Sequence, residues 1–394
     1  MIRALWLTSW YPNTLDKMNG DFIQRHARAV SLFCKVDVIH LEPDKENILQ
    51  QKLEVSIIKN ENLSETIGLY KLYNGEIFFA KLLSLIRYTT LFKKLVHEYI
   101  LENGLPQIVH VHVPMKAGII AWWLKRKYNI PYVVTEHWAI YNDKAADAFY
   151  KRSWLFKYYT KKILRNASAF LPVSYDLGKA VKQIVCKIDY TVVPNVADTA
   201  LFNDSGISFE KTHFRFVHVS TMKPQKNPEG IIRAFADFYK QYPSTELLMV
   251  GEHSALLEQL AASTGLPKTK ISFTGLVSYD AVASILKESD ALLMFSRFEN
   301  MPCVIIEALC CGLPVISTNV GGIKEIIDDT NGLLVESEDE TALLNAMISL
   351  YKQYGNYNRR DISVKAQKEF NYYTIGEMIA KIYNRVLNKT SRIQ

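Results

Sequence analysis

Short apolar runs alternate with longer amphipathic segments in two successive series along this chain of 394 residues. The first series of predicted strands is Ala4–Thr8, Val36–Leu41, Ile108–Val113, Tyr132–Glu136, Ala169–Val173 and Thr191–Val193. The second is Phe214–Val219, Leu247–Gly251, Ile271–Gly275, Ala291–Phe295, Val315–Ser317 and Leu333–Val335. Predicted helices between them include Phe22–Phe33, Lys116–Tyr128 and Asp176–Val185. Because such alternation produces parallel sheets covered by helices on both faces, the sequence predicts an α/β fold with two doubly wound domains.

The break between the two series falls near Pro194–Asp198, before a polar stretch that begins at Asn203. We therefore expect domains at residues 1–198 and 199–373, followed by a terminal helical segment at 374–394. In doubly wound sheets, ligands bind beyond the carboxyl ends of the strands. Two such domains facing one another would form an interdomain cleft.

Composition narrows the class of protein and its compartment. With 48% hydrophobic and 22% charged residues, global disorder is excluded. The five scattered cysteines have no metal-binding spacing, and their odd number favours a reducing compartment. No apolar run is long enough for a signal peptide or a membrane span, so a cytoplasmic location is predicted. The net charge of +7 is compatible with a nucleotide phosphate or an anionic surface as partner, but it requires neither.

Two glutamates flank the end of the fourth strand of the second series. Glu299 lies in the predicted loop, and Glu307 lies about one and a half turns inside the helix that follows. Pro302 suits the first position of that helix, where its missing N–H costs nothing. The free N–H groups of the helix start would form an anion site with the loop that precedes it. The candidate donor-binding residues there are Asn300, Met301, Pro302 and Cys303.

The residues after Glu307 extend this pattern through Gly312-Leu-Pro314-Val-Ile to Gly321-Gly322-Ile-Lys-Glu325. The whole stretch resembles retaining glycosyltransferases of family four, which have the GT-B fold of two Rossmann-like domains. The resemblance implies transfer of a sugar from a nucleotide diphosphate sugar, with Glu299 positioning the sugar and Glu307 binding the ribose. It also implies that the last helix crosses back onto the first domain, which would hold the acceptor.

Further positions match the family's motifs. His137, after the strand Tyr132–Glu136, corresponds to a histidine beside the transferred sugar, and Glu136 could orient its imidazole or raise its pKa. Gly20 corresponds to a glycine loop whose backbone approaches the donor phosphates and the acceptor, and Asp21 is a candidate helix cap. Val277 lies at the edge where backbone groups of the family hold the nucleobase. That edge does not distinguish UDP from GDP donors.

Lys226 corresponds to a family lysine that binds the diphosphate. Many family members carry an arginine where this chain has Thr221, so Lys223 is the candidate replacement for the second cation. Two cations and a helix start would neutralise the leaving diphosphate, and no Asp-x-Asp pair marks a metal site. We therefore expect no metal and no cofactor besides the donor substrate. The expected mechanism is front-face substitution, in which the donor phosphate accepts the acceptor's proton.

Two segments of the first domain combine basic and aromatic residues, namely 72–101 and 149–165. They are candidates for contact with an anionic membrane, which would fit a lipid-linked or cell-surface glycan precursor as acceptor at the inner face of the cell membrane. A solvated helix with an aromatic core face is the alternative. Nucleic-acid binding is disfavoured, because no recognition fold accompanies the charge.

Three other functions are alternatives for the whole chain. A nucleotide-sugar 2-epimerase has the same fold. A nicotinamide-dependent oxidoreductase is disfavoured by the absence of a Gly-x-Gly-x-x-Gly turn after the first strands. A non-catalytic membrane-surface scaffold is disfavoured by the presence of Glu299, Glu307 and Lys226.

Overall fold

The computed structural model describes residues 1–72, 80–204, 206 and 213–391. The chain divides into two compact units. The first unit comprises Met1–Asp143, Asp147–Pro194 and Tyr372–Gln394, and the second comprises Lys144–Ala146 and Asn195–Asn371. The main boundaries therefore lie four and two residues before the predicted ones at 198 and 373.

The strands are β1 Arg3–Thr8, β2 Lys35–Asp44, β3 Leu53–Asn60, β4 Leu63–Lys71, β5 Ile108–His112, β6 Tyr132–Glu136, β7 Ala169–Pro172, β8 Phe214–Ser220, β9 Thr245–Gly251, β10 Ile271–Phe273, β11 Ala291–Met294, β12 Val315–Thr318 and β13 Gly332–Val335. The helices are α1 Asp21–Ser31, α2 Ala80–Asn103, α3 Ala117–Tyr128, α4 Trp154–Asn166, α5 Tyr175–Ile184, α6 Pro228–Gln241, α7 Ala255–Ser263, α8 Tyr279–Lys287, α9 Cys303–Cys310, α10 Glu340–Lys352, α11 Arg359–Phe370 and α12 Tyr372–Ser391. Short 3₁₀ turns join several of them.

The first unit is built on a seven-stranded sheet in the order β3-β4-β2-β1-β5-β6-β7. All neighbouring strands are parallel except β3, which runs antiparallel to β4. Strands β5 and β6 are buried at every residue, as expected for strands covered by helices on both faces. Helix α12 packs on α1 within this unit, and its Tyr383 hydroxyl lies 2.6 Å from His110 Nδ1.

Two features of this sheet differ from the sequence prediction. Strands β3 and β4 were missed. Every residue of β3 is at least partly exposed, so no buried apolar run marks it, and the polar residues 64–66 interrupt the apolar pattern of β4. The predicted strand Thr191–Val193 is wrong. Its N–H groups donate to Phe170 and Pro172 of β7, but Pro172 has no N–H to donate in return, so no ladder forms.

The second unit contains a six-stranded parallel sheet in the order β10-β9-β8-β11-β12-β13. Its core is rich in aromatic rings, and Phe216, Phe235, Phe238 and Phe295 are completely buried there. The prediction of two doubly wound α/β units is thus confirmed. Among the described residues, no helix combines the length and the apolar character needed to cross a bilayer.

Candidate functional site

Lys226 and Glu299 form an ion pair at the carboxyl ends of neighbouring strands in the second unit. Lys226 ends a 3₁₀ turn after β8, and Glu299 lies in the loop after β11. The Lys226 ammonium donates to Glu299 Oε1, and the two side chains are only 18% and 8% exposed. A cation and a carboxylate are therefore held side by side at the edge where doubly wound sheets bind ligands.

Arg297 fixes the two loops that carry this pair. Its backbone N–H donates to Gln225 O at 2.8 Å, and the Gln225 side chain donates to Phe298 O at 2.9 Å. The Arg297 guanidinium donates to Pro224 O and forms a 2.8 Å ion pair with Glu229. Sequence reasoning missed Arg297, although it stands only two residues before Glu299.

The buried residue His218 holds the start of the loop that carries Lys226. His218 Nδ1 lies 2.8 Å from Leu293 O, which can only accept, so this nitrogen carries the proton. His218 Nε2 then accepts from the Ser220 hydroxyl at 2.7 Å, and Ser220 Oγ accepts from the N–H of Met222 at 3.0 Å. Burial lowers the pKa of His218 to about 4, which keeps the ring neutral.

The backbone around Glu299 is held by two partners from outside its own loop. Gly321 has a φ of +57°, and a Cβ there would lie 2.0 Å from Glu299 O, so only glycine allows this approach. Its neighbour Gly322 donates to Asn300 O at 2.7 Å. On the other side, Asn195 Nδ2 donates to Met301 O at 2.7 Å. No sequence pattern predicted that Asn195 would contact this loop.

Glu307 lies on α9 with 5% of its surface exposed, and its Oε1 accepts from the Tyr279 hydroxyl at 2.7 Å. Tyr279 begins α8 and was not predicted. The position assigned to Pro302 was wrong by one residue: it is the N-cap, with extended backbone, and Cys303 is the first helical residue. Pro302 provides no side-chain cap, so the helix start presents backbone N–H groups.

Two candidates are not brought to the ion pair. Lys223 is exposed, and it caps the 3₁₀ turn through its backbone carbonyl, which accepts from Lys226 N at 2.8 Å. Its ammonium makes no contact with the described residues that would mark it as the second cation. Val277 lies half-buried in the loop between β10 and α8 and makes no hydrogen bond to Lys226 or Glu299.

Gly20 occupies a tight position in the first unit. It is the N-cap of α1 with a φ of +66°, and a Cβ there would lie 2.7 Å from the backbone of Trp10. The prediction that Asp21 is the cap was wrong by one residue. Asp21 is the first helical residue, and its carboxylate pairs with Arg25 at 2.7 Å.

His137 follows β6 and lies half-buried, with its Nε2 3.2 Å from His112 Nδ1. Glu136 does not orient this imidazole. Its carboxylate accepts from the backbone N–H groups of His137 and Trp138, each at 2.9 Å, and from the Tyr141 hydroxyl at 2.7 Å. Burial raises the pKa of Glu136 to about 7, although these three bonds act in the opposite direction.

A column of histidines stands behind His137. The rings of His112 and His137 are stacked with centroids 5.5 Å apart, and His110 and His112 are 4.3 Å apart. His26 contacts His137 edge-on at 5.5 Å. Burial lowers the pKa of His26 to about 4 and those of His110 and His112 well below the usual value, so these three rings are neutral at pH 7.

Within the described residues, no group of three or more His, Cys, Asp or Glu side chains is arranged to hold a metal ion.

Helix α4 and the turn before it expose large apolar side chains. Tyr150 is 59% exposed, Trp154 73%, Leu155 45% and Tyr158 47%. The same segment carries five cations: Lys151, Lys157, Lys161, Lys162 and Arg165. We call these nine residues the basic-aromatic surface.

Arg152 does not belong to this surface, although it lies in the same predicted segment. It pairs with Asp147 at 2.5 Å and lies 4.9 Å from the Trp138 ring. In the other predicted segment, the buried ring of Phe92 faces the core, as in the alternative interpretation. Phe78 and Phe79 lie outside the described residues.

Two Rossmann-like α/β units, each with its polar residues at the carboxyl ends of parallel strands, define the GT-B class of glycosyltransferases. Comparison with known families agrees with this class. Residues 34–201 match the family described as Glycosyltransferase Family 4, and residues 202–369 match Glycosyl transferases group 1. The chain belongs to glycosyltransferase family 4, as the motif resemblance predicted.

Similar proteins match this chain over long stretches. The N-acetyl-alpha-D-glucosaminyl L-malate synthase of Bacillus anthracis is 29% identical over 62% of this chain, and the match spans 65% of that relative's length, slightly under two thirds. A putative teichuronic acid biosynthesis glycosyltransferase of Bacillus subtilis is 25% identical, over 88% of each chain. The crystal structure of Anabaena HepE in complex with UDP aligns with a TM-score of 0.74 at 18% identity, covering 98% of this chain and 100% of that one.

Proposed function

We propose that this protein is a retaining, metal-independent hexosyltransferase that uses a nucleotide diphosphate sugar as donor. The adjacency of Lys226 and Glu299 carries the proposal. A nucleotide diphosphate sugar presents an anionic phosphate next to a ring of hydroxyls. Lys226 matches the phosphate, and Glu299 can accept hydrogen bonds from the hydroxyls.

Glu307 and the start of α9 complete the donor site in this proposal. The Glu307 carboxylate, already bound to one hydroxyl at Tyr279, would accept from the two ribose hydroxyls. The N–H groups at the start of α9 add positive potential for the diphosphate. The UDP bound to Anabaena HepE, a protein of the same fold, favours a uridine donor for this chain.

The proposed reaction is a front-face substitution at the anomeric carbon. The bond between that carbon and the donor phosphate oxygen breaks, and a bond to the acceptor oxygen forms on the same face. The acceptor's proton passes to an oxygen of the leaving diphosphate. Lys226 stabilises the charge that develops on the leaving group, and we propose that His137 contacts the transferred sugar.

The acceptor is proposed to be a glycan precursor at an anionic membrane surface. The similar Bacillus subtilis protein is assigned to teichuronic acid biosynthesis, which favours polysaccharide assembly here. The basic-aromatic surface supports a peripheral position at the inner face of the cell membrane, because exposed aromatic rings enter the headgroup region while lysines attract anionic lipids. Each such cation contributes about 1 kcal/mol, so the five together could hold the enzyme reversibly.

The decisive experiment incubates the protein with UDP- and GDP-sugars and measures release of the nucleoside diphosphate. We expect one donor to be hydrolysed slowly, with loss of that activity in Glu299→Gln. An exposed glutamate variant, Glu98→Gln, serves as the matched control because its side chain is 50% exposed on α2. If no donor were cleaved, or if an isomerised nucleotide sugar accumulated, the proposal would be wrong.

A further inference from the structure

A cavity of about 400 Å³ opens at the carboxyl ends of β1 and β2 in the first unit. Trp10 follows β1, Glu42 belongs to β2, and Asn19 directly precedes Gly20. Lys45 and Lys116 also line it. The donor site described above uses none of these side chains.

Glu42 is the chemically unusual member of this cavity. Its carboxylate is 18% exposed, and its Oε2 lies 3.5 Å from Asn19 Nδ2 and 3.4 Å from His40 Nε2. Both distances exceed the usual 2.7–3.2 Å range of strong hydrogen bonds. A mostly buried carboxylate is stable only when donors satisfy its oxygens, so this one retains unused accepting capacity.

His40 adds a second polar atom without a partner. Its ring is completely buried, with Nδ1 3.1 Å from the Thr8 hydroxyl. His40 Nε2 has no hydrogen-bond partner among the described residues, and it is directed at Glu42. A buried nitrogen of this kind usually has a partner, which indicates that Glu42 and its surroundings are built for a further polar group.

Trp10 supplies an apolar wall. Its ring is held edge-on by Trp138 at 5.4 Å and by Phe22 at 6.4 Å, which fix its plane. A fixed aromatic face next to carboxylate and amide groups suits a sugar ring, whose C–H bonds pack on the aromatic face while its hydroxyls donate to the carboxylate.

The charges of the cavity decide which sugars fit. Four carboxylates line it, from Asp16, Glu42, Asp44 and Glu46, against the two lysines. Asp44 is occupied by backbone N–H groups, including Leu49 at 2.8 Å, but its charge remains. A phosphate or carboxylate would meet more like charges than opposite ones, whereas an uncharged sugar meets donors and acceptors.

The loop before α3 is strained on the wall that carries Lys116. Val113 has a φ of +65° and Lys116 a φ of +72°, values that are rare for residues other than glycine, and especially for a β-branched one. Such strain concentrates at functional sites, where the surrounding structure holds the backbone in a conformation that folding alone does not require.

We propose that this cavity binds the uncharged terminal sugar of the acceptor, and that Glu42 is a specificity-determining residue which accepts its hydroxyl groups. The inference rests on the proposed function, since it assigns the acceptor of the same reaction. The basic-aromatic surface would then contact the membrane, while this cavity binds the acceptor's sugar.

The test titrates the full-length protein with methyl glycosides of glucose, galactose, mannose and N-acetylglucosamine, and separately with glucose 1-phosphate. Saturation-transfer NMR and tryptophan fluorescence report binding. We expect at least one glycoside to bind, and to bind more tightly than glucose 1-phosphate. Glu42→Ala should weaken that glycoside about tenfold or more, because a hydrogen bond to a charged group contributes roughly 1.5–3 kcal/mol.

Glu98→Ala is the matched control and should bind the glycoside as the parent does. A near-ultraviolet circular dichroism spectrum and a melting temperature of Glu42→Ala that match the parent would show that the variant is folded. The inference is overturned if no glycoside binds, if glucose 1-phosphate binds more tightly, or if Glu42→Ala binds like the parent. Donor hydrolysis without glycoside binding would refute this inference alone, whereas Glu42-dependent glycoside binding without any donor hydrolysis would refute the proposed function alone.

Discussion

Glu136 offers a quantitative test of the electrostatics behind His137. Burial raises its pKa from 4.5 to about 7, even though the carboxylate accepts three hydrogen bonds. Each pKa unit corresponds to 1.36 kcal/mol, so ionising Glu136 costs about 3 kcal/mol more in the folded protein than in the unfolded chain. In Glu136→Gln, the amide oxygen can accept from the same two N–H groups and the amide nitrogen can donate to Tyr141. The packing is kept while the titration is removed.

The sign of the effect follows from proton binding. Between about pH 4.5 and 7 the folded state keeps the Glu136 proton that the unfolded state releases, so the contribution of Glu136 to the stability of the wild type falls as the pH rises. Glu136→Gln lacks this loss. His26, with its pKa lowered to about 4, acts in the opposite sense, because the unfolded state takes up its proton as the pH falls below 6.5. The His26 contribution is present in both proteins and cancels in their difference.

Urea unfolding followed by tryptophan fluorescence measures this difference in the correct part of the chain. All six tryptophans, at positions 6, 10, 122, 123, 138 and 154, belong to the first unit. We expect Glu136→Gln to gain about 3 kcal/mol relative to the wild type between pH 4.5 and 8, while Glu98→Gln stays parallel to the wild type. Parallel curves for Glu136→Gln and the wild type would refute the argument that burial dominates at this carboxyl group.

Three further predictions concern the proposed activity. Lys226→Ala should lower kcat by about 10²–10³, because it removes a donor to the leaving group, whereas exposed Lys223→Ala should leave kcat nearly unchanged; the reverse order in steady-state assays would exchange their roles. Glu307→Ala should raise the donor KM more than it lowers kcat, and UDP that binds equally well to variant and parent in calorimetry would contradict the ribose contact. Replacing Lys157, Lys161 and Lys162 by Glu should abolish sedimentation with anionic liposomes at low salt without changing donor binding. A control variant that replaces three exposed lysines of the second unit by Glu should still sediment; these are Lys240, Lys268 and Lys352. A wild type that does not sediment with such liposomes would refute the membrane contact.

The sequence predicted most of the buried parallel strands but missed β4, and it also missed the exposed strand β3. Strands such as β6 are apolar at nearly every position, and this pattern located Tyr132–Glu136 to the residue. Strand β3 has no such run, because it lies at the edge of the sheet and every residue in it is at least partly exposed. The starts of α1 and α9 were each predicted one residue away from their observed positions. Gly20 and Pro302 cap these helices through backbone geometry, so no capping side chain marks the start in the sequence.

The candidate site shows the same division between what lies close in sequence and what folding brings together. The spacing between Glu299 and Glu307 could be read from the chain, because both lie on one strand–loop–helix element. The pairing of Lys226 with Glu299 spans 73 residues and depends on β8 and β11 being neighbours in the sheet. Arg297 fixes the position of these two loops relative to each other. Its side chain binds the loop of Lys226, and its backbone belongs to the loop of Glu299. The sequence offered Lys223 as the replacement for the family arginine that is missing at Thr221, because Lys223 lies only two residues away. The cation that holds this loop is instead Arg297, which follows the neighbouring strand β11. Its role could not be predicted without the strand order.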